Sequence, residues 1–100
     1  MKLTKSMYEN QTIESRELYL YCDNNYELYK YSISQVLASL KRKYKKGVFD
    51  RQKAIEAFYH VATRGSELYF KDFGYKFNVN QRWNAAIELL NSYIEEIEED

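Results

Sequence analysis

NVNQRWNAAIELLNSYIEEI, residues 78–97, is the stretch from which the fold is read. Val79, Trp83, Ala86, Ile87, Leu90, Ile94 and Ile97 recur at three- and four-residue spacing, while Arg82, Asn84, Glu88, Asn91, Glu95 and Glu98 fall away from them. Apolar residues with a period near 3.6 and polar ones opposite describe an amphipathic helix laid on a core. Asn78 or Asn80 stands where an N-cap is needed, with a side-chain oxygen able to accept from the first unpaired backbone N–H groups. Trp83 falls one turn in, at the centre of the stripe, and is expected to pack on the preceding helix around Phe58 and Phe70.

Working back along the chain, the same period recurs twice. Asp50 is placed to cap a helix whose Ala54, Ala57, Phe58, Val61, Ala62, Leu68 and Tyr69 share a face, ending near Gly74. Gly65 inside it either bends the helix, lets a neighbouring backbone approach, or splits the segment in two. Before that, Tyr29, Ile33, Val36, Leu37, Leu40 and Tyr44 form a stripe that starts after Asn24 or Asn25 as N-cap and runs to Lys46. KRKYKK followed by Gly47 ends it: cations face the negative end of the helix dipole, and glycine can take the left-handed conformation. The chain has no proline to interrupt these helices. The expected fold is all-α, a small antiparallel three-helix bundle.

The N-terminal part is less regular. Residues 1–16 carry few large apolar side chains and read as a flexible arm, leaving 17–100 as a single helical bundle domain. ELYLYC at 17–22 alternates like a short strand, and YELYKY after Asp23, Asn24 and Asn25 could complete a hairpin; an extra helical turn competes with that. The acidic tail EEIEED, 95–100, is expected to fray and to lie near the joint between the first two helices of the bundle.

With 100 residues there is room for one domain. Fifteen Lys plus Arg against fifteen Asp plus Glu give no net charge, which argues against a general polyanion binder and against an acidic DNA mimic. Cys22 stands alone, so no intramolecular disulfide forms and a reducing compartment fits. The first twenty residues lack the apolar run of a signal peptide and no later run is of membrane-spanning length, so a cytoplasmic protein is expected.

Little in the chain suggests catalysis. His60 is the only histidine, which rules out a multi-histidine metal site, and neither it nor Cys22 lies in a nucleophile signature. Gly47, Gly65 and Gly74 are not spaced as a phosphate-cradling loop, and Glu95, Glu96, Glu98 and Glu99 sit on a solvated end. We therefore expect no enzyme activity, no metal and no cofactor.

Two features point to binding. Lys41, Arg42, Lys43, Lys45, Lys46, Arg51 and Lys53 against Asp50 leave a local charge of +6 around Tyr44, the combination with which proteins hold phosphates and stack on bases. The same lysines also suit a helix C-terminus, and Tyr44 fits the core period. Tyr19, Tyr21, Tyr26, Tyr29 and Tyr31 crowd into thirteen residues, too many for one helix face, so some must be exposed as a contact surface.

ELYLYxxNNYELY, then KRKYKKGVFD, then AxxAFYHVATRGSELYxKDFG and a last helix ending in acids resemble small uncharacterised helical proteins of phages and mobile elements. The resemblance spans residues 17–100 and carries no catalytic motif. It implies an accessory role, such as inhibiting a host defence protein or sequestering a signalling nucleotide, in the host-cell cytoplasm. The expected function is a non-enzymatic helical binding protein, self-associating or held on a protein partner. The alternative is nucleic-acid or nucleotide binding through the basic end of the first long helix. Lys41, Arg42, Lys43, Tyr44, Lys45, Lys46, Arg51, Tyr19, Tyr21 and Tyr26 are the candidate contact residues.

Overall fold

The computed structural model describes the backbone of residues 5–99 and the side chains of residues 15–99. Among the described residues there are four helices and no strand. We number them α1 (Lys5–Asn24), α2 (26–45), α3 (Arg51–Phe73) and α4 (Val79–Glu98). The all-α expectation therefore holds, with one helix more than a three-helix bundle.

Of the two alternatives at 17–31, strand and hairpin or helix, the helix is found: the segment forms the end of α1 and the start of α2. ELYLYC is apolar at nearly every position, so alternation and helical period fit it equally well, and packing decides. Ser15, Leu18 and Cys22, spaced three and four apart, are the buried residues, which only a helix can turn to one side. The arm expected at 1–16 is, from Lys5 onward, the first part of this helix; residues 1–4 lie outside the described residues. Asn25 then leaves the helical conformation and its side chain accepts from the Leu28 amide at 3.0 Å, capping α2.

α2 contains an α-helical turn at Tyr26–Leu28, a π-helical segment at Tyr29–Ile33 and an α-helix at Ser34–Lys45. The wider segment, closed by the Ser34 N–H bonding the Tyr29 carbonyl, follows from two buried residues five apart, Leu28 and Ile33. In an α-helix they would point about 140° apart, whereas a π turn brings i and i+5 to one side. Leu37 and Leu40 continue that face, but Tyr29 and Tyr44, expected on it, are exposed. Gly47, with φ of 77°, ends the helix as its sequence implied.

α3 starts at Asp50, whose carboxylate accepts from the Gln52 and Lys53 amides, and buries Ala54, Phe58, Val61 and Ala62. It passes Gly65 without a break. Gly65 faces Cys22 of α1, and a Cβ there would run into the Cys22 Sγ and stand 3.4 Å from Leu28 Cδ1. Close approach of α1 is thus what the glycine permits.

α4 is the centre of the molecule. It begins with a reciprocal cap in which the Asn78 side chain accepts from the Gln81 amide and the Gln81 side chain accepts from the Asn78 amide, both at 2.8 Å. α4 packs against both α3 and α1, the latter tied by Arg16–Glu88 at 3.0 Å and by the Tyr93 hydroxyl donating to Asp23 at 2.5 Å. With both helices against it, the buried face keeps Ala86, Leu90 and Ile97 of the expected stripe and adds Gln81, Ala85 and Leu89. Trp83 is consequently outside the buried core, although it does pack on the preceding helix. It is half-buried and stacks on Tyr59, ring centroids 3.9 Å apart, while Phe58 stacks on Tyr93 and Phe70 is exposed. The acidic end stays helical to Glu98 because Ile97 is buried, and Glu96 reaches Lys41 of α2 at 2.9 Å.

A candidate docking cleft between the first and third helices

Glu17 and the residues three, four and seven further on, Leu20, Tyr21 and Asn24, share a face of α1. Tyr69 and Phe73, four apart at the end of α3, oppose them, and with Asn25 these residues line an open cleft of about 450 Å³. The Tyr69 hydroxyl donates to Glu17 at 2.6 Å, and the Tyr21 hydroxyl to Asp72 at 3.0 Å. The two phenols thus tie the helices together at the cleft's edges.

The floor is aromatic. Tyr21 meets Tyr69 edge-on at 5.1 Å, Tyr69 lies 4.6 Å from Phe73 and 5.0 Å from the buried Phe77, and Tyr75 covers Phe77 at 4.8 Å. Gly74, with φ of 76°, ends α3 and turns the chain back so that Tyr75 and Phe77 return to Tyr69. Phe73 is nevertheless 65% exposed and Leu20 42%. Exposed apolar side chains gathered at one open cleft, and not scattered singly, make it a candidate contact surface.

Its electrostatics are acidic. The hydrogen bond to Glu17, with a smaller contribution from burial, pushes the Tyr69 phenol up to about 12. Burial first, then the bond to Asp72, raises that of Tyr21. Both phenols remain neutral donors at physiological pH, and the charges at the cleft are Glu17 on its lining and Asp72 beside it, with no cation among its described lining residues. The arrangement disfavours a phosphate and suits an apolar group next to a positive charge.

The basic run lies elsewhere. Arg42, Lys43, Lys45 and Lys46 are exposed at the end of α2; Lys41 is half-buried against Glu96; and Arg51 donates to the Asn91 side chain at 3.2 Å. Tyr44 leans edge-on against Phe49 with 6.0 Å between ring centroids. Of the tyrosines, Tyr21 is in the cleft, Tyr19 packs half-buried on the core beneath Arg16, and Tyr26 stands 72% exposed at the start of α2 near Lys30. Arg51 and Tyr69 are eighteen residues apart on α3, roughly 27 Å at 1.5 Å per residue, so Tyr21 and the basic run do not form one site.

None of Glu17, Leu20, Asn24, Asn25, Tyr69 and Phe73 is among the candidate contact residues read from the sequence. Their helical spacing is visible in 17–24 once that segment is read as a helix, but their meeting across α1 and α3 is not. Cys22 is buried, burial pushing its thiol up to about 12, and His60 is exposed on α3 beside Tyr59. Among the described residues no group of three or more His, Cys, Asp or Glu side chains is placed to hold a metal ion, and no helix is long and apolar enough to cross a membrane. Compared with protein-family models, with curated proteins and with solved structures, the chain matches none.

Proposed function

We propose that this protein is a non-enzymatic binding module that holds a segment of a partner protein in the α1–α3 cleft. The observation that carries the reading is the cleft itself, open, aromatic and acidic, with Phe73 and Leu20 exposed at its mouth. An apolar side chain of the partner lies against Tyr69 and Phe73, and an adjoining Lys or Arg faces Glu17 and Asp72. The resemblance to proteins of phages and mobile elements is in keeping with an accessory role in which binding covers a surface of a host protein.

The test is a panel of labelled peptides with a central Leu, Phe or Trp flanked by Lys and Arg, by Asp and Glu, or by neutral residues, read by fluorescence anisotropy. Cation-flanked members should bind most tightly, and Phe73→Ser should weaken them by roughly tenfold or more, as truncation of an interface anchor does. Indifference to the flanking charge, or equal binding by the variant, would remove the cleft from consideration.

A second reading, nucleic-acid or nucleotide contact, is favoured by the exposure of Arg42, Lys43, Lys45 and Lys46 at one end of α2. The engagement of Lys41, Arg51 and Tyr44 within the chain counts against it. Its affinity would fall linearly in log–log form with salt concentration, and Lys43→Glu with Lys46→Glu would abolish it.

A further inference from the structure

A different pocket lies on the other side of the α3–α4 turn. Thr63, Ser66, Glu67 and Phe70, three and four residues apart, share a face of α3 and line it together with Lys76 from the connection and Arg82 from the first turns of α4. Its volume is about 300 Å³.

Arg82 is the unusual member. It is half-buried, and Nη1 donates to the Phe77 carbonyl at 2.8 Å while Nη2 donates to the Tyr59 hydroxyl at 3.2 Å. The guanidinium also lies 5.8 Å from the centre of the Tyr59 ring. All these partners are neutral. Nε is buried and has no hydrogen-bond partner within the protein, and the same holds for the Thr63 hydroxyl. The lining carboxylate, Glu67, is paired at 3.5 Å with Arg64 one turn earlier on α3. Lys76 extends its ammonium group over the Phe70 ring at 5.9 Å. The pocket therefore combines two cations, one carboxylate already paired with Arg64, two hydroxyl side chains, of which Ser66 is buried, and an exposed aromatic wall.

A guanidinium removed from water is compensated best by an oxyanion, whose oxygens accept several of its N–H groups at once. A clamp on the Phe77 carbonyl explains why an arginine stands at position 82, but it leaves the positive charge unmatched and Nε without an acceptor. Lys76 and Thr63 on the same pocket add a second charge and a second unsatisfied polar atom, which the clamp does not need.

We propose that this pocket is a binding site for a small organic oxyanion, a carboxylate or phosphoryl group on a flat apolar body. The oxyanion is held by Arg82 and Lys76 with the Thr63 and Ser66 hydroxyls, and the apolar body lies against Phe70. The site is independent of the peptide cleft, since it draws on a different face of α3 and has the opposite charge.

The experiment titrates the ¹⁵N-labelled protein with benzoate and, separately, with phenyl phosphate at constant ionic strength, following the Arg82 Nε–H signal and the amides of Thr63, Phe70 and Lys76. The expected result is a saturable shift of these signals, with Lys76→Gln and Thr63→Val each weakening binding, the lysine change by roughly tenfold. Both variants leave the Arg82 clamp in place, so the fold is retained. Saturation by phenyl phosphate alone assigns a phosphoryl ligand, by benzoate alone a carboxylate, and by both the shared oxyanion chemistry. No shift of Arg82 Nε–H with either anion, a shift unchanged by Lys76→Gln, or shifts confined to the amides of residues 41–46 would overturn the proposal.

Discussion

Replacing Gly65 by alanine sets two effects of opposite sign against each other. Gly65 lies mid-helix in α3, where alanine should stabilise by roughly 0.5–1 kcal/mol because glycine loses more conformational freedom on helix formation. The added methyl, however, runs into Cys22 Sγ and stands 3.4 Å from Leu28 Cδ1, both on fully or nearly fully buried side chains. Overpacking of this kind costs typically about 1–3 kcal/mol, since α1 must shift from α3 or Cys22 must leave its rotamer. The steric effect is the larger, and Gly65→Ala should be destabilising by about 1–2 kcal/mol, a fall in melting temperature of roughly 4–8 °C per kcal/mol for a chain of this size. Cys22→Ala alone removes one buried sulfur and should cost on the order of 1 kcal/mol. In the double variant the new methyl occupies the space that the sulfur left, so it should be more stable than Cys22→Ala by about the helix-propensity gain. Urea denaturation followed by circular dichroism measures all three. If Gly65→Ala is stabilising in the presence of Cys22, α1 and α3 are not in contact at this point, and the placement of α1 is wrong.

At alkaline pH the Tyr69 and Tyr93 phenols should ionise late, Tyr69 near 12 through its bond to Glu17 and Tyr93 higher still through burial and its bond to Asp23. An acid whose folded pKa is raised stabilises the fold below its unfolded value of about 10 and loses that contribution as pH rises through the folded value, so stability should fall from about pH 10 upward. Ultraviolet phenolate absorbance against pH, with Tyr69→Phe to identify the signal, checks this; all tyrosines titrating together near 10 would contradict it. Trp83→Ala should cost about 1–2 kcal/mol, less than the roughly 3–5 of a fully buried tryptophan, because it removes a half-exposed stack on Tyr59. A larger loss in the same denaturation assay would place the indole in the core. Asn78→Ala breaks the reciprocal cap of α4 and should cost about 1 kcal/mol, whereas a cost within error would mean that solvent satisfies those amides equally well.

The helices after residue 25 were legible because each carries its own punctuation. Asn25, Asp50 and Asn78 act as N-caps and Gly47 and Gly74 take positive φ, all from local hydrogen bonding and backbone sterics. The face that each helix buries was legible only in part. α3 buried Ala54, Phe58, Val61 and Ala62 as expected, and α4 buried Ala86, Leu90 and Ile97 as expected, but contact with both α1 and α3 also buried Ala85 and Leu89 in α4 and left Val79 exposed and Trp83 half-buried. The candidate cleft was less legible still. Tyr21 stood out as one of a crowd of tyrosines, but Tyr69 and Phe73 read as an ordinary helix end, and nothing local shows that α1 will come to rest against them.

By itself, then, the sequence determined an all-helical chain, most of its helix ends and the basic character of the turn at residues 41–51, since these depend on neighbours along the chain. Tertiary structure decided whether ELYLYC is strand or helix, which arc of α4 is buried, and which charges are engaged. It brought Glu17 to Tyr69, Asp23 to Tyr93 and Glu96 to Lys41, pairs separated by more than fifty residues. Such contacts depend on how helices cross, and crossing depends on side-chain volume at particular points such as Gly65 and Cys22, which periodicity does not encode.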